Sequence, residues 1–297
     1  MTTLADRHPL IETSLPSSVT LDAGEGDLAR LRVDGPTGSA EIYLQGAHVT
    51  RWQPAGQEPV LWMSAASTFA AATPIRGGVP ICFPWFGVNP DGPQHGWARI
   101  TDWTLTSAVD DGTDVRLVFT LTDSAETRAS AWPHRFEARY EVIVGARLQL
   151  SLSVTNLSDD EVNFEESLHT YFAVSDVRET SITGLQDLTF SDLDEAGFQP
   201  EEPLTLTGPM TRNLVAATGE TVMTDAVRQL RITRSNAANT VVWNPWSAQA
   251  ATMPDFGDDE WTEMVCVETA NIGASWVHLP AGETQTLVTT YEVDALS

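Results

Sequence analysis

Apolar residues in this chain recur with a period of two, and that pattern restricts its fold more than anything else in the sequence. Phe136, Ala138, Tyr140, Val142 and Val144 form one alternating run. Leu148, Leu150, Leu152 and Val154 form the next, interleaved with Gln149, Ser151 and Ser153. Gly145-Ala146 separates the two, so the pair reads as a β-hairpin. The pattern returns at Ala40, Ile42 and Leu44, at Val115, Leu117, Phe119 and Leu121, and at Leu287, Thr289, Tyr291 and Val293. Alternation with one apolar face belongs to antiparallel sheets that pack on one side. Helical signals are few. Ser124 to Ala131 is expected to form a short helix, capped by Asp123 and stopped before Pro133. The expected fold is an all-β sandwich of many strands, with residues 1–297 forming one domain.

Composition removes whole classes of chemistry. All 16 basic residues are arginine, so no lysine is present for a Schiff base, a Walker-A loop or a kinase strand. The formal net charge is −25, which argues against nucleic acid and anionic membrane as partners. Cys82 and Cys266 sit in separate apolar runs and are expected as buried, reduced thiols. Met1 to Leu15 has no basic stretch followed by an apolar one, and no run reaches the ~18 apolar residues of a spanning helix. No signal peptide is expected, and the expected location is cytoplasmic. Gly24-Glu25-Gly26-Asp27-Leu28-Ala29 matches a dinucleotide-binding pattern, but its two acids would repel a pyrophosphate, so a hairpin turn is expected. Six histidines show no ligand spacing on any one element, and no metal or cofactor is expected.

Three stretches break the alternation: Pro74 to Gly87, Gln94 to Arg99, and Glu165 to Phe172. Breaks in local rules mark candidate functional sites. The first stretch places Arg76 beside Gly77-Gly78, where the backbone can approach a ligand closely. His169 lies in an apolar, strand-like run. Glu268 ends the apolar run Met264-Val265-Cys266-Val267, and burial there would raise its pKa toward that of a general base. Arginine forks at Arg76 and Arg99 match phosphate oxygens, although either side chain taken alone is as consistent with a structural ion pair.

Several blocks together resemble the D-hexose-6-phosphate mutarotases, the glucose-6-phosphate 1-epimerase branch of the aldose 1-epimerase (galactose mutarotase-like) superfamily. They are Ile75 to Gly87, Gln94 to Arg99, Trp132 to Phe136, Ser167 to Phe172, Val242 to Pro245 and Val265 to Thr269. The resemblance runs from about Ala40 to Val293. It implies a large antiparallel β-sandwich with the sugar site on a concave sheet. By motif, His169 resembles the general acid and Glu268 the general base. Arg76, Gln94 and Arg99 match substrate-binding positions, with the arginines as phosphate ligands, and His95 is placed to touch a sugar hydroxyl. Trp85, Trp97 and Trp243 are candidates for stacking on the sugar, with core packing as the alternative. One family position departs: an Asp is replaced by Thr211, with Asp192 or Asp194 as candidate substitutes.

The implied activity is cofactor-independent interconversion of the α and β anomers of a hexose 6-phosphate by a monomeric isomerase. Two rivals stay open: an epimerase of unphosphorylated aldoses, and a carbohydrate-binding protein that has lost turnover.

Overall fold

The structure, a computed structural model, describes residues 8–191, 196–199 and 203–294. Among the described residues the strands pair antiparallel into a nine-stranded, an eight-stranded, a four-stranded and a two-stranded sheet, with one short α-helix at Trp246–Ala250. This is the expected all-β sandwich. No helix among the described residues is long and apolar enough to cross a membrane.

The nine-stranded sheet carries all the alternating segments but one; Ala40 and Ile42 lie on Gly38–Tyr43 of the four-stranded sheet. Phe136–Val144 pairs with Arg147–Asn156 in the register Val144↔Leu148, so the hairpin turns at Gly145-Ala146 as the sequence predicts. Phe136, Ala138, Tyr140, Val142 and Val144 are all fully buried, and so are Leu148, Leu150, Leu152 and Val154. Side chains two apart share a face, so one face of this sheet makes the core and the other meets water. Gly145 has a packing reason: a Cβ there would lie 1.9 Å from the Asp114 carboxylate. At Gly24–Ala29 the chain makes the expected turn, joining Val19–Ala23 to Ala29–Asp34.

The expected helix over Ser124–Ala131 does not form; only Thr127–Ala129 makes a 3-10 turn. Ser124 and Thr127 each accept the other's backbone N–H through their hydroxyls, at 3.2 and 2.8 Å. These local bonds compete with a helical ladder. Asp123 accepts from the Phe136 amide instead of capping the turn.

The eight-stranded sheet positions the site. Its order runs Ala196–Gln199, Leu188–Ser191, Met210–Val215, Asn239–Asn244, Met264–Asn271, Glu166–Leu168, Ile81–Cys82, and Tyr171–Ala173 also pairs with Met264–Asn271. Every residue of Met264–Asn271 is buried. Cys82 and Cys266 are buried and unbridged, as expected.

Candidate active site

A cleft of about 420 Å³ opens on the eight-stranded sheet. Arg76, Gln94, His95, Arg99, His169 and Glu268 all line it, although they span most of the chain. Phe86, Thr211, Trp243, Gln249 and Met253 complete much of the wall. Of the three tryptophans with stacking potential, Trp243 faces this cleft. Trp97 instead packs on Phe83 and Phe136, and Trp85 donates its indole N–H to the Pro93 carbonyl at 2.8 Å. Thr211, which the resemblance matched to the family's Asp, lines the cleft. Asp192 and Asp194 lie outside the described residues.

Glu268 sits inside Met264–Asn271, opposite Val241, and is 1% exposed. Its Oε2 accepts a hydrogen bond from the Ser167 hydroxyl at 2.9 Å, across to the neighbouring strand. His169 follows that strand, anchored by its backbone N–H on the Pro80 carbonyl at 3.0 Å. The two side chains meet: His169 Nδ1 lies 3.4 Å from Glu268 Oε1. The Tyr171 ring stacks on the His169 ring at 4.8 Å, and His95 approaches it edge-on at 5.5 Å.

Burial governs the electrostatics of this pair. Removal from water disfavours charge on both groups. It pushes the Glu268 carboxyl up to about 8, with the Ser167 hydroxyl opposing. It pushes His169 well below its ordinary value, and His95, Arg99 and Arg76 add to that effect. The favoured resting pair is therefore a protonated Glu268 beside a neutral His169. His95 is driven down to about 3 by burial and by Arg99 and Arg76. Its Nδ1 accepts the Gly87 N–H at 3.1 Å, so the neutral ring carries its proton on Nε2. His95 also holds a left-handed backbone, φ 62°, a conformation that non-glycine residues adopt at a cost.

The two arginines differ. The Arg76 Nε and Nη2 donate to Asp255 at 3.1 and 3.2 Å, and Nη1 donates to the Tyr171 hydroxyl at 3.0 Å. Burial opposes its charge, but Tyr171 and Asp255 outweigh that and raise its pKa. Arg99 is 7% exposed and donates through Nη2 to the Gln94 carbonyl at 2.7 Å. Its Nε has no hydrogen-bond partner, and among the described residues no carboxylate lies within ion-pair distance of it. Gln94 thus serves Arg99 through its backbone, while its side-chain Nε2 lies 3.4 Å from His95 Nε2.

Gly77 and Gly78 serve the protein's own packing. Their φ values are 116° and 62°, and a Cβ on either would lie within 2.5 Å of a backbone oxygen, of Trp62 or Val49. The Gly78 N–H donates to the Trp62 carbonyl at 2.8 Å, so the close approach expected here is to protein backbone. Sequence reasoning missed Asp255, Tyr171 and Gln249. Asp255 lies in a plain Met-Pro-Asp-Phe turn that carries no motif. Among the described residues no three His, Cys, Asp or Glu side chains cluster as a metal site.

An antiparallel supersandwich with a buried histidine–carboxylate pair in an arginine-lined cleft describes a mutarotase-type enzyme. The profile of the Aldose 1-epimerase family matches residues 30–292, and the chain belongs to that family. It is an isomerase. It is 37% identical over 268 residues to the "Putative glucose-6-phosphate 1-epimerase" of Escherichia coli (strain K12), covering 88% of this chain and 89% of that protein. The protein of the same name from Cenchrus ciliaris is 32% identical over 251 residues, covering 78% and 75%. The crystal structure of "a putative mutarotase (YeaD) from Salmonella typhimurium" superimposes with a TM-score of 0.89 at 32% identity, covering 97% of each chain.

Proposed function

We propose that this protein interconverts the α and β anomers of a hexose 6-phosphate, glucose 6-phosphate in particular, by acid–base ring opening without a cofactor. One observation carries the choice of a phosphorylated substrate: Arg99, a buried guanidinium in the cleft with no carboxylate partner among the described residues. An unpaired buried cation is costly, and in a chain of net charge −25 it marks a place prepared for an anion. The names of the relatives in Escherichia coli and Cenchrus ciliaris point the same way.

In this mechanism Glu268 takes the proton of the C1 hydroxyl while His169 gives a proton to the ring oxygen. The bond between C1 and the ring oxygen breaks, and C1 becomes the aldehyde carbon. Neither group of a hemiacetal reacts readily without such assistance. Ring opening leaves Glu268 protonated and His169 neutral, the state that burial favours. The C1–C2 bond then rotates. Closure on the other face returns the proton from Glu268 to the carbonyl oxygen and the proton of the C5 hydroxyl to His169. To enter the cycle, the resting pair moves one proton from Glu268 to His169 across the 3.4 Å gap. A dianionic phosphate beside Arg99 and Arg76 favours that move, because it offsets the cations that disfavour imidazolium.

A second reading, turnover of unphosphorylated aldoses, is favoured by the Arg76–Asp255 pair, which occupies one of the two arginines. Anomer-resolved NMR on glucose 6-phosphate and on glucose separates the two. The proposal expects a kcat/KM for the phosphate ester at least about 100-fold higher, the scale of one desolvated charge contact. Equal rates on both sugars select the second reading.

A further inference from the structure

Asp255 lies outside every sequence block that resembles the mutarotases, yet it holds one of the two arginines of the cleft. Its carboxylate receives Nε–H and Nη2–H of Arg76 side by side, the paired geometry that fixes a guanidinium plane. The Nη1–H to Tyr171 fixes the opposite corner. A guanidinium carries five N–H donors, these contacts use three, and Arg76 lines the cleft. We propose that Asp255 is a positioning residue that aims this free edge of Arg76 at the phosphate arm of the substrate. The inference rests on the phosphate reading above.

The loop carrying Asp255 is held on both sides. Phe256 is 2% exposed, with its ring 4.9 Å from Trp62 and 6.5 Å from Trp243. The Glu260 carboxylate accepts the Gly257 N–H at 3.0 Å, the Ala65 N–H at 2.9 Å and the Ser64 hydroxyl at 2.9 Å. Ser64 in turn donates its N–H to the Arg76 carbonyl at 3.1 Å, and the Arg76 N–H donates to the Ser67 hydroxyl at 2.8 Å. Backbone of Arg76, turn 64–67, Glu260, loop, Asp255 and side chain of Arg76 thus close a ring of contacts. Such a ring suits a fixed holder. A carboxylate that must leave its seat for each phosphate would break against it. The division of labour follows: Arg99 supplies net positive charge, while Arg76, neutralised by Asp255, supplies direction.

The test compares Asp255→Asn, Arg76→Ala and the double variant with the parent, on glucose 6-phosphate and on glucose, by anomer-exchange NMR. Asp255→Asn is expected to raise KM for glucose 6-phosphate roughly tenfold, with kcat and the KM for glucose each held within about threefold. The double variant is expected to be no worse than Arg76→Ala alone, because the carboxylate acts through that arginine. A lower KM for glucose 6-phosphate in Asp255→Asn overturns the proposal and makes Asp255 a competitor for the phosphate seat. Equal losses on both sugars, with a lowered melting temperature, overturn it in favour of a purely structural ion pair. A parent enzyme that does not prefer glucose 6-phosphate removes the phosphate reading itself, and that outcome is visible before any variant is made.

Discussion

The nine-stranded and eight-stranded sheets share the same antiparallel pairing and differ in what covers them. In Phe136–Val144 and Thr284–Asp294 buried residues alternate with more exposed ones, as in a sheet with one wet face. In Met264–Asn271 every residue is buried, and in Asn239–Asn244 only Trp243 is less than fully so. On the second face of that sheet Val241, Trp243 and Glu268 line the cleft. The difference is chemical. A carboxylate on the wet face of the nine-stranded sheet stays hydrated, whereas Glu268 on the covered sheet is pushed up to about 8 by burial. In the proposed mechanism the reacting groups belong to the covered sheet, and keeping Glu268 there disfavours its charged form.

Substitutions that separate these two roles test the contrast. The largest effect is expected at the proposed catalytic pair. His169→Asn or Glu268→Gln is expected to lower kcat by roughly 10²–10⁴, with the far-ultraviolet dichroism of the parent retained. Turnover near the parent value in both variants would remove them from the mechanism. On the other sheet, Leu150→Ala empties a fully buried position. It is expected to cost about 2–5 kcal/mol in denaturant unfolding while kcat stays unchanged. A matching loss of kcat would show that the two sheets are not separable in function. Arg99→Ala is expected to raise KM for glucose 6-phosphate over that for glucose by roughly 2–3 kcal/mol.

The smallest effect is a slope. The Glu268 carboxyl sits above its unfolded value of 4.5, so the folded protein keeps a proton that the unfolded chain releases. Its contribution to stability is fully present below that value and is lost as pH rises toward about 8. His169 is shifted downward and acts with the opposite sign, below its unfolded value of 6.5. Glu166, also pushed up by burial, to about 7, adds to the fall near pH 7, and Glu268 dominates toward pH 8. The share of the fall due to Glu268 is expected to be at most about 1.4 kcal/mol per pH unit. Glu268→Gln is expected to flatten that slope in melting curves taken across the window, and an unchanged slope would place the titrating group elsewhere.

Legibility in the sequence followed the same divide. Four strands of the nine-stranded sheet, those carrying Val115–Leu121, Phe136–Val144, Leu148–Val154 and Leu287–Val293, could be read directly, because each apolar alternation is a local consequence of the β backbone and its one dry face. On the covered sheet only Met264–Val267 reads as an unbroken apolar run; Glu268 stood out at its end, and His169 as a polar residue beside apolar and aromatic neighbours. The failed helix at Ser124–Ala131 lay in neither sheet. There a hydroxyl exchange between Ser124 and Thr127 replaced the ladder that the capping pattern suggested.

By itself the sequence determined the β architecture and six of the residues that line the cleft, because both are written in short windows: alternation in one case, family blocks in the other. The tertiary structure decided how those residues are charged and held. It set the neutral state of the His169–Glu268 pair, left Arg99 without a counter-ion among the described residues, brought Thr211 to the cleft and joined Arg76 to Asp255, 179 residues away. Burial and ion pairing depend on which atoms replace water around a group. Those atoms arrive from distant strands, so no local pattern around Arg76 announces Asp255.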